Sequence, residues 1–203
     1  KFAGFRAAGV NRLSLGIQSF DDAKLAALGR IHSATEARRA AELALQHFDN
    51  VNLDLMYALP QQTLDGARRD IEAAIALGPA HISAYHLTLE PNTPFHYAPP
   101  PLPDDDLAAD MQDMVEERLA AAGYEHYETS AFARPGRRCR HNLNYWEFGD
   151  YLGIGAGAHS KLTRADGSIA RDARPRGPKD YLADPVTRRW QVIAAADLPG
   201  EFM

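Results

Sequence analysis

The chain has 203 residues, with 22 Lys plus Arg against 27 Asp plus Glu, for a net charge of −5. Apolar residues at 45% and charged residues at 24% are ordinary for a globular chain and exclude a wholly disordered or collagen-like one. No apolar run reaches the roughly 18 residues of a membrane-spanning helix, the acidic balance gives no general attraction to nucleic acid, and the single cysteine, Cys139, excludes an internal disulfide framework.

Asn11 to Gln18 alternates apolar and polar residues and predicts a strand. Ser33-Ala34-Thr35-Glu36 reads as a capping box opening a helix over Thr35–Phe48, whose apolar face is Ala37, Ala40, Ala41, Ala44 and Phe48. Val51 to Tyr57 predicts a second strand. A helix over Leu64–Leu77 follows, stopped by Gly78-Pro79, and His81 to Thr88 predicts a third strand. Strands separated by amphipathic helices indicate βαβ units and a parallel sheet. Six prolines between Glu90 and Pro103 predict an extended loop that is neither strand nor helix. Asp104 to Ala122 reads as a helix with three aspartates at its positive end. Tyr124 to Ala133 is β-like, Pro135 to Arg140 is a basic turn, and Lys161 to Arg171 predicts a hairpin about Ala165-Asp166-Gly167. Arg174 to Met203 is polar and weakly patterned.

Polar residues Gln18 and Asp54 fall near the C-terminal ends of their strands, the end at which α/β sheets bind ligands. The residue pattern alone favours a solvated strand end or a helix cap for Asp54, with a ligand contact as the other reading. Gly153-Ile154-Gly155-Ala156-Gly157 fails the dinucleotide-loop spacing and reads as a strand, either tightly packed or approached by a flat ligand. Cys139 to Trp146 offers a thiol, an imidazole, a carboxamide and two aromatics within eight residues. The two readings are a basic turn followed by a core Tyr–Trp pair, and a contact for a haem-like macrocycle.

Read together, Gly9 to Phe20, Leu28 to His32 and Asn52 to Thr63 resemble the radical S-adenosylmethionine (SAM) family of oxygen-independent coproporphyrinogen III oxidase. His81-Ile82-Ser83-Ala84-Tyr85, Leu89 to Thr93, Cys139 to Trp146 and Tyr151 to Ser160 resemble its haem-chaperone branch, and Asp197 to Met203 resembles the start of the family's C-terminal domain. The resemblance implies an α/β fold, the later part of a partial (β/α)6 TIM-like barrel over residues 1–133, with a C-terminal α+β extension over 134–203. It implies SAM contacts from Gln18 and Asp54 to the ribose hydroxyls and from Arg30 to the methionyl carboxylate. It implies haem contacts from His141, Asn142, Tyr145 and Trp146, with His141 the iron contact and Cys139 its competitor.

A 4Fe-4S cluster is also implied, held by three closely spaced cysteines. The single Cys139 cannot supply them, so those ligands are expected outside these residues, and both ends read as cut from a longer protein. No catalytic residue is expected within the segment, and by itself it is expected to be inactive and marginally folded. The implied function is that of a cytoplasmic haem chaperone that hands haem to respiratory proteins; the alternatives are porphyrinogen oxidation in haem biosynthesis and a non-catalytic α/β domain. No nucleic-acid partner is expected.

Overall fold

A computed structural model describes residues 1–194 and 196–198. The chain divides into two compact units, residues 1–138 and 139–203. The predicted start of a C-terminal domain lies, at 199–203, outside the described residues.

The first unit runs α1 (Phe2–Ala7), β1 (Leu13–Gln18), α2 (Asp22–Ala27), α3 (Ala34–Leu45), β2 (Val51–Tyr57), α4 (Leu64–Leu77), β3 (His81–His86), α5 (Pro94–Tyr97), α6 (Asp105–Ala121), β4 (Glu125–Glu128) and β5 (Ala131–Ala133). The five strands form one sheet in the order β1-β2-β3-β5-β4, parallel from β1 to β3 and antiparallel beyond. The parallel sheet expected from the alternating pattern is present. In β2, Val51, Leu53 and Leu55 are fully buried and pack in the core with Ala37, Ala41, Ala44 and Phe48 of the α3 region, Ala67, Ile71 and Ala74 of α4, and Met111, Val115 and Leu119 of α6. Small alanines on the facing helices let them lie close to a sheet of bulky branched residues, and each fully buried leucine contributes about 1.5–3 kcal/mol relative to exposure.

Local signals account for most helix boundaries. The Ser33–Glu36 capping box forms in both directions and opens α3. Thr63 caps α4, and Gly78 closes it in the left-handed conformation (φ 68°) that a side chain would resist. Asp104 accepts from the Leu107 amide at the start of α6. The proline-rich loop departs from expectation, because Thr93 caps the short helix α5, with Pro94 at its first position where a missing N–H costs nothing.

The second unit contains α7 (Arg140–Trp146), β6 (His159–Thr163), β7 (Ile169–Ala173), α8 (Pro178–Ala183) and β8 (Gln191–Val192). The predicted hairpin is β6–β7, turning at Gly167 (φ 83°), and β8 extends it to three antiparallel strands. The buried Asp172 carboxylate joins the pieces by accepting from the Arg188 guanidinium (3.2 Å) and the Arg189 amide (2.8 Å). Gly153 to Gly157 is a turn, not a strand: Gly155 and Gly157 have φ of 110° and 73°, and Arg188 holds the Gly153 carbonyl at 2.8 Å. Arg140 to Trp146 is helix α7, and its Tyr145 and Trp146, each 43% exposed, are not a core pair.

Candidate functional site

Alternation along a strand sends every second side chain to the same face. In β2 the odd residues enter the helix-packed core, so Asn52, Asp54 and Met56 face the other way. The parallel register aligns them with Ser14 and Gly16 of β1 and with His81, Ser83 and Tyr85 of β3. This face is polar where the opposite one is apolar, and its side chains are bonded to one another. Ser14 Oγ donates to Asp54 Oδ2 (2.8 Å), and Asn52 Nδ2 donates to Asp54 Oδ1 (2.7 Å) and Ser14 Oγ (2.8 Å). His81 Nδ1 lies 2.6 Å from Asn52 Oδ1, and its Nε2 lies 2.6 Å from the Tyr127 hydroxyl.

Above this layer a cleft of about 550 Å³ is lined by Ser14, Gln18, Asp54, Met56, Tyr85, His86 and Thr88. Gln18 reaches it through an unusual backbone. Its φ is 69°, rare for a residue with a side chain, and the Ser19 amide bonds the Ile17 carbonyl (2.9 Å), closing a three-residue turn about it. The pairing with β2 shifts register between Gly16 and Gln18. Gly16 leaves room for the returning Gln18 amide, since a Cβ there would sit 2.8 Å from Gln18 Nε2. The turn is fastened from below by buried Asp70 of α4, which accepts from Ser19 Oγ (2.6 Å) and the Phe20 amide (2.8 Å). Strained residues persist where surrounding bonds over-determine them, and such places are commonly binding sites.

The structure brings Gln18 and Asp54 into one cleft. Arg30 is exposed on the loop between α2 and α3 and is not among the residues lining that cleft. His141, Asn142, Tyr145 and Trp146 lie together on α7 of the second unit. There the His141 and Tyr145 rings meet edge to face at 4.8 Å, and Tyr145 meets Tyr151 at 4.8 Å. His141 is exposed while Cys139, the cap residue before it, is buried. Sequence reasoning missed Ser14, Asn52, His81 and Tyr127. The first three share one face of the sheet only through the register of three strands, and Tyr127 reaches His81 from the β4 hairpin and leaves no local trace.

His81 is 1% exposed, and burial, reinforced by the Arg12 guanidinium, lowers its pKa from 6.5 to about 4. The unfolded chain therefore takes up this proton near its ordinary pKa and the folded chain only near 4, so stability falls as pH drops through that window. Urea denaturation is expected to show about 2–3 kcal/mol less stability at the acid end of the window than above pH 6.5 from this group. His81→Asn should lack that component; an unchanged pH dependence would assign it elsewhere.

No family model matches the chain. It is 50% identical over 206 residues to heme chaperone HemW of Escherichia coli (strain K12), covering 100% of this chain and 54% of that protein. It is 39% identical to heme chaperone HemW of Mycobacterium tuberculosis (strain ATCC 25618 / H37Rv), covering 98% of this chain and 49% of that protein. It is 43% identical over 180 residues to the mitochondrial radical S-adenosyl methionine domain-containing protein 1 of Mus musculus, covering 86% of this chain and 41% of that one. Among solved structures, coproporphyrinogen III oxidase (HemN) from Escherichia coli, a radical SAM enzyme, matches with a TM-score of 0.75 at 20% identity, over 98% of this chain and 50% of that one. That likeness shows the fold, part of a TIM-like radical SAM architecture. The chain spans about half the length of the curated relatives it matches. On these identities and this fold, the chain is a homologue of about half the length of the HemW proteins and shares the radical SAM fold.

Proposed function

We propose that this chain supplies SAM-binding and haem-binding parts of a haem chaperone whose full-length form also carries a 4Fe-4S cluster. The observation that carries the reading is the 50% identity, across the whole chain, to a protein named heme chaperone. The geometry of the cleft supports the SAM part. Each Asp54 oxygen already accepts one bond, from Asn52 or from Ser14, which leaves acceptor capacity on both for a vicinal diol such as a ribose. Gln18 can donate and accept beside it, while Arg30, outside the cleft lining, takes the methionyl carboxylate on the family resemblance, through its guanidinium fork. The cluster does not fit the residues present: the chain has one cysteine, and among the described residues no group of three His, Cys, Asp or Glu could hold a metal ion. Its ligands belong to the rest of the protein. SAM and cluster supply radical chemistry when both are bound; the residues here bind and orient the nucleoside.

Haem is the cargo. The exposed His141 imidazole is the iron contact, the buried Cys139 thiol being less accessible, and Asn142, Tyr145 and Trp146 flank the macrocycle. Respiratory proteins that accept haem are the partners in this reading. The cytoplasm is the proposed location, with no helix among the described residues long and apolar enough to cross a membrane. Porphyrinogen oxidation is the weaker reading, because the oxidase likeness is one of fold at 20% identity.

Titration of full-length protein with haem tests the proposal. His141→Ala is expected to weaken the Soret-detected complex about tenfold or more. Identical wild-type and variant spectra would remove His141 from the iron, and vinyl product from an anaerobic coproporphyrinogen III assay would replace the chaperone reading with the oxidase one.

A further inference from the structure

The hydrogen bonds behind Asp54 have a direction that the donors and acceptors themselves impose. A carboxylate only accepts, so the Asn52 group facing Asp54 at 2.7 Å is its NH2. The Asn52 carbonyl oxygen therefore faces His81, 2.6 Å from Nδ1, and since it too only accepts, Nδ1 carries the proton. In the neutral ring Nε2 is then an acceptor, and the Tyr127 hydroxyl, 2.6 Å away, donates to it. Ser83 Oγ adds a second donor to the Asn52 oxygen (3.2 Å). One orientation satisfies every member: Tyr127 to His81 to Asn52 to Asp54, spanning β4, β3 and β2, with Ser14 of β1 on the other carboxylate oxygen.

We propose that His81 is a positioning residue for nucleoside binding, acting through the Asn52 amide to hold the Asp54 carboxylate with both oxygens presented to a ribose cis-diol. Without the Nδ1 proton, the Asn52 amide loses its nearer restraint, and the flipped amide would set oxygen against oxygen at Asp54. The proposal rests on the reading of Asp54 as the diol acceptor. It concerns residues that do not line the cleft, since neither His81, Asn52 nor Tyr127 reaches it.

The test is the preference of the full-length protein for S-adenosylhomocysteine over its 2′-deoxy analogue, measured by calorimetry. Wild type is expected to prefer the intact diol about tenfold or more. His81→Leu should reduce this preference to less than about threefold while binding of the 2′-deoxy analogue changes little. His81→Asn, whose amide nitrogen replaces Nδ1 as donor, should restore it. Tyr127→Phe keeps the ring, removes only the terminal hydroxyl and is expected to lower the preference about threefold; it carries the test should His81→Leu not fold. Undiminished preference in both His81→Leu and Tyr127→Phe would make His81 a packing residue and overturn the proposal. A wild-type protein that binds both ligands equally would overturn the diol reading of Asp54 and the positioning role with it, an outcome distinct from the first.

Discussion

Asp54→Ala in the full-length protein is expected to bind S-adenosylhomocysteine about 100-fold more weakly than wild type. Two bonds from neutral hydroxyls to a charged acceptor contribute about 1.5–3 kcal/mol each, and water replacing the carboxylate offsets part of that loss. The substitution also removes the acceptor for Ser14 and for one Asn52 proton, but Ser14 is exposed and water can take over its bond. The fold should therefore persist, so the loss reads as binding rather than unfolding. Asp54→Asn keeps one acceptor oxygen and is expected to fall between, about tenfold weaker. A dissociation constant for Asp54→Ala within about threefold of wild type would separate Asp54 from the nucleoside.

The second large effect belongs to Asp70, and it is one of stability. Its buried carboxylate accepts from Ser19 Oγ (2.6 Å), the Phe20 amide (2.8 Å) and, more weakly, Gln62 Nε2 (3.4 Å). Asp70→Leu leaves the buried Ser19 hydroxyl and the Phe20 amide without that acceptor, and the expected cost is about 3–4 kcal/mol. Burial raises the pKa of Asp70 despite these donors. Its charged form is thus held at a disadvantage, and the carboxyl's contribution weakens as pH rises through the folded-state value. Asp70→Asn removes the charge while keeping an oxygen for Phe20 and an NH2 that can donate to Ser19, so its cost should be about 1 kcal/mol or less at neutral pH. Urea midpoints compare the two. Equal losses would show that charge, not the pattern of acceptors, holds the turn. Because that turn carries Gln18 in its left-handed conformation, Asp70→Leu should also weaken nucleoside binding, although Asp70 does not line the cleft.

What the sequence disclosed follows from the range of the interactions. Capping boxes, periodic alanines and glycine stops act within one helical turn, so α3, α4 and α6 were legible, as were β2 and the parallel order of the sheet. The six-residue α2 was not: its signal is a single Asp21 side chain accepting from the Ala23 and Lys24 amides, with only Leu25 buried. Helix α7 was hidden because its cap, Cys139, makes no side-chain capping bond. In the cleft, Gln18 and Asp54 were visible as polar residues near strand ends, whereas the Asn52–His81 and His81–Tyr127 bonds join residues 29 and 46 positions apart. Pairs so distant are set by sheet register, which periodicity alone does not specify. The glycine-rich segment failed for the opposite reason: alternate glycines fit a strand, but positive φ at Gly155 and Gly157 makes a turn.

That polar layer also bears on how the strands find one another. A parallel sheet buried against helices has apolar residues on its core face that would tolerate sliding by two positions almost as well as the native alignment. Sliding β2 by two residues would bring Asp54 opposite His81, leave Ser83 facing Met56 and part the buried Asn52 amide from His81 and Ser83. A one-residue slip would turn Asn52 and Asp54 into the helix layer. Buried polar groups are costly unless every member is satisfied, and the native alignment satisfies the buried Asn52, His81 and Ser83 together. The layer therefore works as a key for strand alignment, coupling correct assembly of the sheet to completion of the cleft.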